Sequence, residues 1–191
     1  FGYSITGTFE LPSELDAYTF TGAVGDHIII QMNEGDRIIE PTLTLYAPDG
    51  SQVAVDTDNT TAVLDSILLE QAGTYTLLAT DQTGDETGEY NLSLQRINNP
   101  GNATTLNFGE SITGAIELPS ELEAYTFAAS AGEKIGIALS SLTPGFDQTF
   151  QLFAPTGELI TSGTGDDFLN GITLTQAGTH TLLVTDQGGN E

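Results

Sequence analysis

The chain has 191 residues, of which 27 are acidic and 3 basic, giving a net charge of −24. Lys134, Arg37 and Arg96 form no cluster that would neutralise phosphates, which excludes nucleic-acid binding. It also disfavours anionic membrane surfaces, and no apolar run approaches the roughly 18 residues needed to insert into one. With no cysteine there are neither disulfides nor thiolate metal sites, and with 38% apolar residues the acidity belongs to the surface of a folded chain rather than to disorder.

In chain order the first half reads as eight short strands. They are Ser4–Glu10, Asp16–Phe20, His27–Met32, Thr42–Tyr46, Gln52–Val55, Val63–Leu69, Thr74–Thr80 and Glu89–Gln95. Asp16–Phe20 and Thr42–Tyr46 alternate apolar and polar residues, the period of a strand with one buried face. His27–Met32 is a short apolar run suited to a buried strand, and Ala47-Pro48-Asp49-Gly50 is a turn with Pro early and Gly late. Val63–Leu69 reads either as a strand or as a short helical turn. Eight strands in about 100 residues, with no capped helical pattern, predict an all-β fold: a two-sheet sandwich of jelly-roll type.

The sequence then repeats itself. Residues 108–127 match residues 1–20 at all but four positions, an offset of 107. Residues 176–187 match 71–82 except that His180 replaces Tyr75 and Val184 replaces Ala79, at an offset of 105. Two residues are therefore missing from the second copy between Gly157 and Gln176. A period this long suits a whole domain repeated like beads on a string rather than a solenoid unit. The expected organisation is a sandwich over 1–97, a linker over 98–107 and a second sandwich over 108–191. The Asn-Pro-Gly of the linker ends the last strand of the first, and so short a link limits relative motion without abolishing it. Glu191 is the counterpart of Glu86, so the equivalent of Glu89–Gln95 does not appear in the second copy. Either the sequence is a piece of a longer chain or a neighbouring subunit adds the strand by β-augmentation, building a filament.

The ordered set of landmarks resembles the bacterial pre-peptidase C-terminal (PPC) domain family. It consists of Asp16-Ala17-Tyr18-Thr19-Phe20, Gly25-Asp26, Leu43 through Gly50, Asp56-Thr57-Asp58, Gly73 through Leu77 and Gly88 through Leu94. The second copy carries it as Glu123–Phe127, Leu152–Gly157, Asp166-Asp167 and Gly178–Leu182, with Glu123 in place of Asp16 and Thr156 in place of Asp49. The resemblance implies a non-catalytic, often repeated β-sandwich attached to secreted proteases and surface proteins. Some members bind calcium, and some bind insoluble protein or polysaccharide.

The residues themselves nominate no catalytic group. His27 aligns with Lys134 and His180 with Tyr75, so neither imidazole is repeated. Calcium is the better chemical expectation, because it takes six to eight oxygens and loops of Asp, Asn and Gly supply them. The candidate ligands are Asp56, Asp58, Asn59, Asp81 and Asp85 in the first copy, and Asp166, Asp167 and Asp186 in the second. No EF-hand spacing is present, and the same residues also favour plain solvated turns. Tyr3, Tyr46, Phe146, Phe150 and Phe153 are read as core residues in preference to a sugar-stacking face. The function expected is a structural or adhesive repeat of a secreted or cell-surface bacterial protein within an extracellular fibre, its partners being other copies of the repeat. The alternative is an accessory module that holds a secreted protease or other hydrolase on an extracellular polymer.

Overall fold

A computed structural model describes residues 1–35, 39–144, 146–165 and 168–186. It is all-β, with fifteen strands and no helix among the described residues. The first eight are β1 (Tyr3–Phe9), β2 (Leu15–Gly22), β3 (His27–Glu34), β4 (Pro41–Tyr46), β5 (Gln52–Thr57), β6 (Thr61–Leu68), β7 (Gly73–Asp81) and β8 (Gly88–Arg96). They form two four-stranded antiparallel sheets, ordered β1-β8-β3-β6 and β2-β7-β4-β5. This is the strand order of a jelly roll, in which consecutive strands mostly lie in opposite sheets. Val63–Leu69 is strand rather than helical turn. Its weak alternation comes from a bulge opposite Ile29, where Ser66 takes a positive φ of 52°.

Seven strands follow: β9 (Thr104–Thr105), β10 (Glu123–Ala129), β11 (Lys134–Ala138), β12 (Gln148–Phe153), β13 (Leu159–Thr164), β14 (Phe168–Thr173) and β15 (Gly178–Asp186). Their order is β13-β12-β15-β10-β9 in one sheet and β11-β14 in the other. At offsets of 107 and 105, β10, β15, β12 and β13 take the places of β2, β7, β4 and β5, and β11 and β14 those of β3 and β6. The bulge recurs with Gly171, φ 72°, where the first half has Ser66. The two-residue shortening lies between Thr164 and Phe168.

Three apolar cores stack through the molecule. The first, around Phe9, Ile28, Ile30, Leu43, Leu45, Tyr75 and Tyr90, lies between the β7 and β8 sheets. The second, around Tyr125, Phe127, Phe150, Leu152 and Val184, lies between the β15 and β11 sheets. The third joins the halves: Ile29 and Ile97, with Val63 beside them, meet Leu122, Ala124, Phe153 and Leu183. Strand alternation explains this. Ile28, Ile30 and Met32 point to one face of β3 and Ile29 to the other, so the run is buried on both sides. The halves are thus not beads on a string but four sheets in one stack. Gln31 Nε2 also donates to Thr185 Oγ1 at 3.4 Å across the junction.

Candidate functional site

The acidic loops of the first half gather at one end of the β7 sheet. Asp58 N donates to Pro41 O, and Pro41 lies opposite Asp81 in the ladder, so the β5–β6 turn and the β7–β8 loop meet at the start of β4. The carboxylates there are already engaged by the backbone. Asp58 Oδ1 accepts from the amides of Thr60 and Thr61, at 2.9 and 3.2 Å, and these bonds lower its pKa. Asp56 Oδ2 accepts from Val63 N at 2.8 Å. Asp81 accepts from Glu40 N at 2.8 Å and from Gly84 N at 2.7 Å, and also from the Thr83 hydroxyl. Burial raises the Asp81 pKa, but these donors together outweigh it and leave the group lowered. The pattern is that of Asx turns, in which a short acidic side chain replaces a missing backbone acceptor.

Asn59 and Asp85 are exposed in the same loops. Glu86 has its pKa raised, first by desolvation and then by Asp81, Asp85 and Glu40. Asp186 lies at the end of β15, in the other half, as the counterpart of Asp81, and is buried. Asp166 and Asp167 lie outside the described residues. Among the described residues, no three of His, Cys, Asp and Glu group as a metal-binding set. The turn after β4 uses the same device: Asp49 accepts from Ser51 and Gln71, which takes its pKa to about 2.

Both imidazoles are locked in packing. His27 sits at the junction, so close that a Cβ on Gly157 of the second half would strike its ring. His180 is fully buried and stacks on Phe127 at 5.4 Å and 11°. Tyr75 stacks on Phe20 at 5.5 Å and 11°, so the imidazole occupies a tyrosine's place. The Tyr75 hydroxyl donates to Gln71 O at 2.8 Å. His180 Nδ1 lies 3.3 Å from Gly178 O, and its Nε2 has no partner. A Cβ at Gly22 would meet Leu69 Cδ1 first, at 2.4 Å, and then the Tyr75 ring at 3.2 Å; Ala129 stands at this position in the second half.

Desolvation holds the His180 pKa below its ordinary 6.5, against a smaller opposing effect of the Gly178 carbonyl. The unfolded chain therefore binds this proton more readily than the folded one. The associated stability is complete above pH 6.5 and is lost as the pH falls below it. The double variant Ala129→Gly with His180→Tyr rebuilds the first half's pair. We expect it to lose less melting temperature than the parent chain between pH 7.5 and 5. His180→Tyr alone is expected to be destabilised by overpacking, because the position is fully buried.

Of the aromatic residues read as core, Phe150 and Phe153 are fully buried, Tyr46 and Phe146 are half-buried, and Tyr3 is 78% exposed. The sequence reading missed the cluster at the heart of the first half. The Tyr90 hydroxyl donates to Asp16 and lies 2.5 Å from the Tyr18 hydroxyl, and its ring packs on Phe9 at 4.7 Å. Burial first, then the Asp16 bond, push the Tyr90 pKa up. A wide depression of about 350 Å³ is lined by Ser141–Pro144, Phe146–Gln148 and Gly165. A cavity of about 30 Å³, between Gly2–Ser4, Ser93–Gln95, Asn102 and Glu121–Glu123, sits at the seam of the halves and is the size of one water.

No protein-family profile matches the chain, and no curated protein matches it. Solved structures give distant likenesses. The PBSX exported protein XepA aligns over 96% of this chain and 86% of its own, at 10% identity and a TM-score of 0.34. A β-glucuronidase of Ruminococcus gnavus aligns over 97% of this chain and 33% of its own, at 11% identity and a TM-score of 0.26. One from Lactobacillus rhamnosus aligns over 96% and 32%, at 12% identity and 0.25. The chain thus spans about a third of the glucuronidases. At these scores the likenesses carry no argument about function.

Proposed function

We propose that the chain is a non-catalytic structural module of a secreted or cell-surface bacterial protein, serving as a stiff spacer within an extracellular array. The observation that carries this reading is the apolar junction of Ile29, Ile97, Ala124, Phe153 and Leu183, which fixes the two jelly-roll halves face to face. A spacer needs length without a hinge, and sheet-on-sheet packing supplies it where a ten-residue linker alone would not. The resemblance to PPC domains and the absence of a repeated imidazole point the same way. The charge of −24 keeps such an array soluble and draws cations to it.

Calcium enters this reading as a counter-ion: one oxygen of Asp56, one of Asp58 and both of Asp81 accept backbone amides and so serve the turns first. Small-angle scattering tests the spacer directly. The expected result is one rigid-body profile, unchanged by chelator, with magnesium and calcium at equal millimolar concentration raising the melting temperature alike. A profile that requires independent halves would sink the spacer. A saturable response to calcium alone would reinstate a coordinated ion.

A further inference from the structure

The small cavity at the seam of the halves is walled by acceptors. It lies where the start of β1 and the end of β8 meet the connection between the halves and the start of β10. Ser4, Ser93 and Gln95 line it from the first half, Asn102 from the connection, and Glu121 and Glu123 from the second half. No lysine or arginine lines it. Gly2, at φ 75°, makes the close approach possible, because a Cβ there would overlap the Asn102 side chain at 2.0 Å.

Gln95 points to an occupant. It pairs with Ile29 in the β3–β8 ladder and so shares the outer face of that sheet, where the second half covers it completely. Its Nε2 donates to Arg96 O at 3.1 Å and to Asn102 Oδ1 at 3.0 Å. The Arg96 carbonyl fixes this orientation, because turning the amide over would set Oε1 against another acceptor. The Oε1 then has no partner among the described residues, and a buried acceptor left unpaired is costly. The same cavity holds an uncompensated charge. Glu121 is engaged by the amides of Glu117 and Leu118. Glu123 is half-buried, and its pKa is raised first by desolvation and then by Glu121 and Glu117. The neighbouring Arg96 does not answer it: its guanidinium lies over the Phe1 ring and is held by Asp26 and Asn99 O.

We infer that the seam cavity is a binding site for a monovalent cation of potassium's size, held by Gln95 Oε1 and the Glu123 carboxylate with the Asn102 and serine oxygens around it. A water would satisfy Gln95 Oε1 but leave the charge; a cation answers both. The cavity of about 30 Å³ has the size of one water, and that size selects among cations. Calcium and magnesium draw their oxygens to about 2.3–2.6 and 2.0–2.1 Å. A water keeps its partners at roughly 2.7–3.0 Å, and walls of packed, paired strands do not close in by the difference. Sodium is too small for the same reason. Potassium has the radius of a water and accepts neutral amide and hydroxyl oxygens in place of its hydration shell. One positive charge also matches Glu123, since Glu121 is already held by amides. The ion ties the outer face of β8 to β10 and adds a polar link beside the apolar junction. This goes beyond the spacer reading and does not rest on it.

The test is thermal melting of the 191-residue chain in the chlorides of potassium, sodium and tetramethylammonium at equal ionic strength, the last being too bulky for the cavity. Potassium is expected to raise the melting temperature saturably, by about 2–4 °C over tetramethylammonium, and sodium by less. Glu123→Gln should melt higher than the parent in tetramethylammonium, because the repulsion is relieved, and should lose the response to potassium. Gln95→Met, which removes the acceptor on the other half, should lose that response as well. Thallium(I), a probe of potassium's size, should give a bound resonance with the parent chain that potassium displaces. Equal melting in all three salts would leave the cavity to a water or to a protonated Glu123 and would overturn the site. So would a sodium effect as large as potassium's, a potassium effect that survives both variants, or no displaceable thallium signal.

Discussion

Truncating Phe153 to alanine is expected to cost about 3–5 kcal/mol, read from the urea midpoint by circular dichroism. Phe153 is fully buried, at the end of β12, in the apolar junction of the two halves. Its counterpart Tyr46 ends β4 on the equivalent sheet face but is half-buried. Tyr46→Ala should therefore cost only about 1 kcal/mol. The contrast isolates the junction, because strand position and residue size are alike and only the cover differs. The wild-type chain should unfold in one transition, and Phe153→Ala should shift that transition or split it. Equal costs at the two positions would mean that the sheets do not stack.

The second large effect belongs to Tyr90. Its ring is fully buried against Phe9, and its hydroxyl completes the cluster with Asp16 and Tyr18. Tyr90→Ala is expected to cost about 3–5 kcal/mol, from lost burial and the cavity left behind. Tyr90→Phe keeps the ring and costs about 1–3 kcal/mol, because Asp16 and Tyr18 lose their partner in a half-buried place. If Tyr90→Phe were neutral, the hydroxyl cluster would be ornamental and the packing alone would matter.

The strands were legible because each signal was local. Alternation in Asp16–Phe20 and Thr42–Tyr46 placed the core face, and Pro48 and Gly50 marked the turn. The junction was not legible. Ala17, Leu78 and Tyr46 become Ala124, Leu183 and Phe153 with almost no change in character, yet the first set is exposed or half-buried and the second is buried. A face that reads the same whether wet or covered gives no warning of its neighbour. The Ile28-Ile29-Ile30 run did carry a hint, since a strand buried on both sides must be covered on both. The acidic loops were ambiguous for a related reason: the side chains that suit calcium also suit turns, and the hydrogen bonds place Asp58 and Asp81 in turns. The Tyr90–Asp16 cluster lies 74 residues apart in sequence, beyond the reach of any local pattern.

The junction has a consequence for symmetry. It joins two different faces, the outside of the β8 sheet and the outside of the β15 sheet, so it is heterologous rather than self-matching. The counterpart of the second face remains open on the β7 sheet of the first half. Contacts of this kind have a sense, front to back, and no two-fold axis closes them. The molecule therefore has a front and a back: one outer face repeats the chemistry of a junction face and the other does not.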